Sequence, residues 1–134
     1  MTPVAPAPAD RPPDERFDGL ERRSLPGGLT LIVGSGRRAR LLGLSALDAL
    51  PAGHGFLLSP CRSVQTVGMR FALDLVWLDG EGRPVRVDAD VAPLRMRTCL
   101  QARSVVEAAA GDGARFRDAL SGGWGEVVIE RRTG

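Results

Sequence analysis

The stretch 59-SPCRSVQTVGMRFALDLVWLD-79 decides how this chain is read. Its second half, Phe71 to Leu78, is almost continuously apolar, with a single carboxylate, Asp74, in the middle. Eight residues is strand length and short for a helix, and Asp79-Gly80-Glu81-Gly82 supplies a turn signal that ends it. Strand alternation puts Phe71, Leu73, Leu75 and Trp77 on one face and Ala72, Asp74, Val76 and Leu78 on the other. A run so apolar is expected to be covered on both faces. Asp74 must then have a partner there, because an uncompensated buried carboxylate is costly. Arg70 or Arg62, or backbone N–H groups, are the expected partners. The first half of the stretch, Cys61 to Arg70, carries thiol, hydroxyl, amide and guanidinium groups, so the core strand adjoins the most polar candidate site.

Outward from this stretch, short strands and turns follow one another. Pro26-Gly27-Gly28 reads as a hairpin turn into a strand over Leu29–Val33. His54–Leu58 reads as a strand, and Arg83–Asp90 alternates as a half-exposed strand paired antiparallel with Leu73–Leu78. Pro93 to Gln101 is expected to be a loop with a short extended piece. Ser104–Ala108 and Glu126–Glu130 are further strands, with Ser121–Gly125 flexible between helix and strand. Short helices are expected over Arg37–Leu44 and Ala114–Leu120, with another helical turn at Ser45–Leu50. About seven short strands and two short helices predict an α+β, mainly antiparallel β domain, barrel-like or sandwich-like and compact. Residues 1–16, rich in Pro, Ala and charge, are expected to form a disordered tail, leaving 17–134 as one globular domain.

Composition limits the function. Among 134 residues, 18 cations against 16 acids give a net charge of +2, too little to demand a polyanionic partner. Every cation is Arg, and with abundant Ala and Gly this bias fits a bacterial, GC-rich genome. The arginines are scattered through the sequence, with few aromatic residues to stack on bases, so no nucleic-acid partner is expected. No run reaches the ~18 apolar residues of a membrane span, and the N-terminus lacks the pattern of a secretory signal, so a cytoplasmic location is expected. Two cysteines, Cys61 and Cys99, are then expected as reduced, buried thiols rather than a disulfide.

Several motifs could carry chemistry. Gly34-Ser35-Gly36 follows a strand, but position 39 is Ala where a dinucleotide fingerprint requires glycine, so it reads as a turn. His54 is the single histidine, and neither it nor the cysteines have metal-ligand spacing, so no metal and no cofactor are expected. A hydrolase-like set, Cys61 or Asp74 with His54, is the enzymatic alternative. The preferred reading is a non-enzymatic binding or accessory module. Its candidate ligand site comprises Arg62, Ser63, Gln65, Met69, Arg70 and Asp74, suited to a small polar ligand or a protein partner.

Several segments together resemble a known family. They are Arg40-Leu-Leu-Gly-Leu44, Leu50–Leu58, Pro60-Cys-Arg-Ser-Val64, Gly68–Asp79, Gly82–Val87, Ser104-Val-Val-Glu107 and Gly111. The combination resembles the bacterial and archaeal family called domain of unknown function 192. Met69, Asp74, Asp79, Gly82, Glu107 and Gly111 fall on that family's hallmark positions. The chain departs from the pattern at Ala72, at Ala108-Ala109 and at Ser121–Gly125. The resemblance implies a small, mainly antiparallel β fold and an association with an envelope, pilus or secretion assembly. It implies no activity.

Overall fold

A seven-stranded sheet carries the described residues, with a two-stranded ribbon against one face and a short helix against the other. The computed structural model describes residues 21–34, 51–66, 70–126 and 128–130. The expected tail, the expected helices over 37–50 and most of the Gly34–Gly36 turn lie outside the described residues, as does Met69.

The strands are β1 (Glu21–Leu25), β2 (Leu29–Gly34), β3 (His54–Leu58), β4 (Ser63–Gln65), β5 (Leu73–Leu78), β6 (Pro84–Val91), β7 (Met96–Thr98), β8 (Ser104–Ala109) and β9 (Val128–Glu130). The main sheet runs β6-β5-β8-β3-β2-β1-β9, and β4 pairs with β7 apart from it. All pairings are antiparallel except β2 with β3. The sheet does not close, so the architecture is sandwich-like and the barrel form is set aside. Helix α1 (Gly113–Ala119) is the one α-helix among the described residues. A 3₁₀ turn, Gly123–Glu126, occupies most of the stretch expected to be flexible and shortens the last strand to three residues. Trp124 accounts for that order: its backbone N–H donates to Glu81 O at 2.8 Å, and Arg23 stacks on its ring at 4.8 Å.

β5 behaves as its sequence predicts. All six of its residues are buried, between β6 and β8. Leu73, Leu75 and Trp77 join Ile32, Phe56, Val64, Cys99 and Val105 in the core on the ribbon side. Val76 and Leu78 join Leu31, Leu57, Val106 and Phe116 on the helix side. Fully burying each such side chain contributes about 1.5–3 kcal/mol before entropy is counted. Gly55 lets the two layers meet, because a Cβ there would lie 2.7 Å from Val106 and 2.9 Å from Phe116.

Candidate functional site

Asp74 lies on the helix face of β5, and backbone rather than arginine satisfies it. Its Oδ1 accepts from Asp90 N at 2.8 Å; its Oδ2 accepts from Gly111 N at 2.9 Å and Gly113 N at 2.7 Å. The register of β5 on β6 slips between Leu73 and Leu75, and within that bulge Asp90 adopts φ 55°. A bulge residue loses its ladder partner, and Asp74 supplies a replacement acceptor. On its other side the carboxylate takes the first N–H of α1, which the helix itself leaves unmet. Gly113 is required for the approach: a Cβ would stand 2.8 Å from Asp74 Oδ2. A residue so engaged is a structural tie.

Arg62, Ser63 and Gln65 gather on the opposite side of the sheet. Ser63 pairs with Thr98 and Gln65 with Met96 across the ribbon. Ser63 Oγ lies 3.2 Å from Thr98 Oγ1, and Gln65 Nε2 donates to Met96 Sδ at 3.7 Å, so these four side chains share its outer, exposed face. Val64 points inward into the core. Arg62 is exposed and donates from Nε to Ala102 O at 2.9 Å; with Pro60, Cys61 and Arg103 it lines an open depression beside the ribbon. Arg70 is exposed at the far end of the same segment. The structure therefore brings Arg62, Ser63 and Gln65 together and puts the sheet between them and Asp74.

Beyond Gln65, buried Thr66 anchors the turn into β7. Its Oγ1 donates to Ala92 O at 2.8 Å and accepts from Arg95 N at 2.8 Å, while Leu94 N donates to Thr66 O at 3.3 Å. Within this turn Leu94 adopts φ 63°, a left-handed conformation unusual for a bulky residue. Leu94 is 69% exposed, Met96 58% and Leu100 78%. Among the described residues the one other exposed large hydrophobic side chain is Val85, on the α1 side near Arg117. The two segments that build the ribbon and its turns, 60–70 and 91–106, contain five arginines and no acid. They carry +5, leaving −3 for the rest of the chain (+2 minus +5). No described carboxylate salt-bridges Arg62, Arg95, Arg97 or Arg103. Sequence reading singled out Arg62, Ser63 and Gln65 but missed Leu94, Arg95, Met96, Leu100 and Arg103. The absence of acids across 91–106 was the available signal.

At the inner border of this surface, Arg86 spans the edge strand to the ribbon. Its Nη2 donates to Asp88 Oδ2 and to Thr98 O, both at 2.8 Å, and its guanidinium lies 5.5 Å from the Trp77 ring centre. Burial pushes the Asp88 carboxyl up, but hydrogen bonds from Arg86 and Trp77 Nε1 and the charges of Arg86 and Arg97 outweigh it. Asp88 is held below the usual carboxylate range as a result.

The residues of the hydrolase-like alternative do not converge. His54 opens β3 and Cys61 lies three residues past the strand's other end, and the four steps of β3 alone span about 13 Å. His54 shares its side of the sheet with Phe56, whereas Asp74 faces α1. His54 Nδ1 lies 3.3 Å from Ala52 O, and the Cys61 thiol donates to Ser63 O at 3.2 Å. Cys99 is buried and Cys61 only half-buried, a difference from the expected pair of buried thiols; no disulfide joins them. Among the described residues no group of three His, Cys, Asp or Glu side chains could hold a metal ion. Glu107, a hallmark position left out of the candidate site, is completely buried between its register neighbours Phe56 and Leu75.

Fold and surface define a small α+β domain with an open, mostly antiparallel sheet and an arginine-rich ribbon laid across one face. The family model for domain of unknown function 192, described as Uncharacterized ACR, matches residues 27–117, and the chain belongs to that family. No curated protein matches the sequence. Two crystal structures share the fold. One, from Sinorhizobium meliloti 1021, is provisionally named a transcription regulator; it is 17% identical, with 83% of this chain and 91% of that chain covered at a TM-score of 0.58. The other, a protein of unknown function from Novosphingobium aromaticivorans DSM 12444, is 14% identical, with 83% of each chain covered at a TM-score of 0.57. At these identities the likeness concerns the fold alone. Among the described residues, no helix is long and apolar enough to cross a membrane.

Proposed function

We propose that this chain is a non-enzymatic binding or accessory module whose recognition surface is the outer face of the β4–β7 ribbon. The observation that carries the reading is the clustering of exposed aliphatic side chains. Leu94, Met96 and Leu100 stand on one seven-residue segment, against a single such residue, Val85, elsewhere among the described residues. Exposed apolar groups rimmed by polar ones are what interaction sites look like. Arg62, Ser63 and Gln65 supply the polar border, with Arg70 and Met69 on the segment that continues from β4. Asp74 serves the site only by holding the fold behind it. An accessory role on the cytoplasmic side of an envelope, pilus or secretion assembly accords with this reading and with the family resemblance.

Affinity capture with the purified full chain tests it. The native chain is compared with a ribbon variant, Leu94→Asn/Met96→Ser/Leu100→Ser, and with Val85→Ser as a control on the other side. Proteins retained by the native chain and by Val85→Ser, but lost from the ribbon variant, are the expected result. A captured set that the ribbon variant leaves unchanged overturns the reading.

A further inference from the structure

We infer that the partner of the ribbon is an acidic, amphipathic segment of another protein, and that Leu94 is the anchor presented to it at the expense of the fold's own stability. This rests on the ribbon being the recognition surface and adds what it recognises.

The charge argument comes first. Segments 60–70 and 91–106, which build the ribbon and its turns, contribute five arginines and no acid, although the whole chain carries only +2. Arg95 Nη1 donates to Leu94 O at 3.3 Å, so a neighbouring carbonyl orients this group without neutralising it, while Arg97, opposite inward-pointing Val64, donates to Met96 O at 2.9 Å and shares its charge with Asp88. A carboxylate-bearing partner meets a complementary surface, and guanidinium offers it bidentate geometry. A second copy of this chain, docking ribbon to ribbon, would oppose like charges.

Apolar content separates a protein segment from nucleic acid. The exposed large hydrophobic side chains on this face are Leu94, Met96 and Leu100, all aliphatic and well suited to a leucine-bearing peptide. Single-stranded nucleic acid is gripped by stacking on aromatic rings. The described aromatic side chains are half-buried or buried.

The backbone supplies an independent observation. Leu94 combines φ 63° with 69% exposure. Asparagine or glycine would occupy that left-handed position with less strain. A leucine there weakens the fold through its backbone and recovers little by burial, because its side chain is largely bare. Thr66 nevertheless fixes the turn on both flanks, through Ala92 O and Arg95 N. Strain that is held in place this firmly, at a site of recognition, is characteristic of an anchor kept ready for its partner.

The test pairs stability with binding for Leu94→Asn in the full chain. Thermal melting is expected to show a midpoint equal to or above that of the native chain. Binding is measured by fluorescence anisotropy with a labelled peptide of alternating glutamate and leucine. The peptide is expected to bind the native chain, to be released by salt, and to bind Leu94→Asn about tenfold or more weakly, as loss of a central anchor does. Equal affinity for the variant, or a lower melting midpoint, overturns the anchor. Absence of peptide binding, or tighter binding of duplex DNA or of phosphatidylglycerol vesicles in the same assay, overturns the partner class. If capture still depends on the ribbon while the peptide fails to bind, the partner class is wrong and the recognition surface stands. If capture ignores the ribbon, the surface itself is wrong.

Discussion

Replacing Asp74 with alanine removes one acceptor group from three donors at once, and the cost can be worked from their surroundings. The Gly113 N–H bond is buried, so that donor loses its partner and is not reached by water; leaving it unmet costs about 1–3 kcal/mol. The bonds from Asp90 and Gly111 are only part-buried, and water replaces each at a net loss of about 0.5–1.5 kcal/mol. Together these give roughly 4 kcal/mol. At about 4 °C per kcal/mol for a domain of this size, the melting midpoint of Asp74→Ala falls by roughly 15 °C. Asp74→Asn is the sharper probe. With its oxygen in the Oδ2 position it keeps Gly111 and Gly113, but its amide then faces the Asp90 N–H, donor to donor. About half the loss is expected, near 2 kcal/mol. Differential scanning calorimetry or a thermal melt followed by circular dichroism measures both variants. An Asp74→Ala protein that melts within about 2 °C of the native chain would refute the three-donor tie.

Gly113→Ala should cost about 1–3 kcal/mol by overpacking, since its Cβ would meet Asp74 Oδ2 at 2.8 Å and Asp74 Cβ at 2.9 Å. Only the part due to the carboxylate should vanish when Asp74→Ala is already present, because alanine keeps the Cβ contact; a double-mutant cycle in denaturant reads that partial coupling directly. Gly55→Ala should destabilise by a similar amount, about 1–3 kcal/mol, because Val106 and Phe116 leave no room for a methyl group; an unchanged urea midpoint would contradict the packing described. Asp88 has a lowered pKa in the fold, so its contribution is present above the unfolded carboxylate value and is lost as pH falls through the folded one. Asp88→Asn should therefore flatten the acid limb of the stability–pH curve below about pH 4 and leave the neutral-to-alkaline limb in place. Arg86 is 40% exposed, so added salt should shrink the difference.

The sequence made β5 legible because alternation and burial agree along it: every side chain from Leu73 to Leu78 has the face that period two assigns. His54–Leu58 and the helix near 114–120 were legible for similar reasons, a bounded apolar run in one case and glycine breaks in the other. Asp74 was recognisable as a group in need of partners, but the partners lie 16, 37 and 39 residues away. Arg70 and Arg62 were the candidates near in sequence, yet they sit on the ribbon segment while the Asp74 carboxylate faces α1. Strand alternation alone could have warned of this, since it assigns Asp74 a face without saying which layer covers that face. The ribbon escaped notice because 63–65 and 96–98 are separated by β5 and β6, and only their pairing turns scattered arginines into a patch. Leu94 was invisible altogether: nothing in a leucine signals that its φ is positive.

The Asp74 tie has a consequence for the order in which the molecule assembles. Helix α1 has seven residues, well under the ~12–15 at which an isolated helix becomes even marginal in water. Its first N–H is held by a side chain on the most buried strand of the sheet, which is itself sandwiched between β6 and β8. The helix therefore has no independent existence on a folding pathway. It can persist only after residues 73–109 have found their register, and it must be lost whenever they lose it. In native-state hydrogen exchange the Gly113 amide should open with the same free energy and denaturant slope as the amides of Leu75 and Val76. A helix at the edge of the chain's contacts would ordinarily fray first; this one, pinned at its N-terminus, should report on the cooperative unfolding of the sheet.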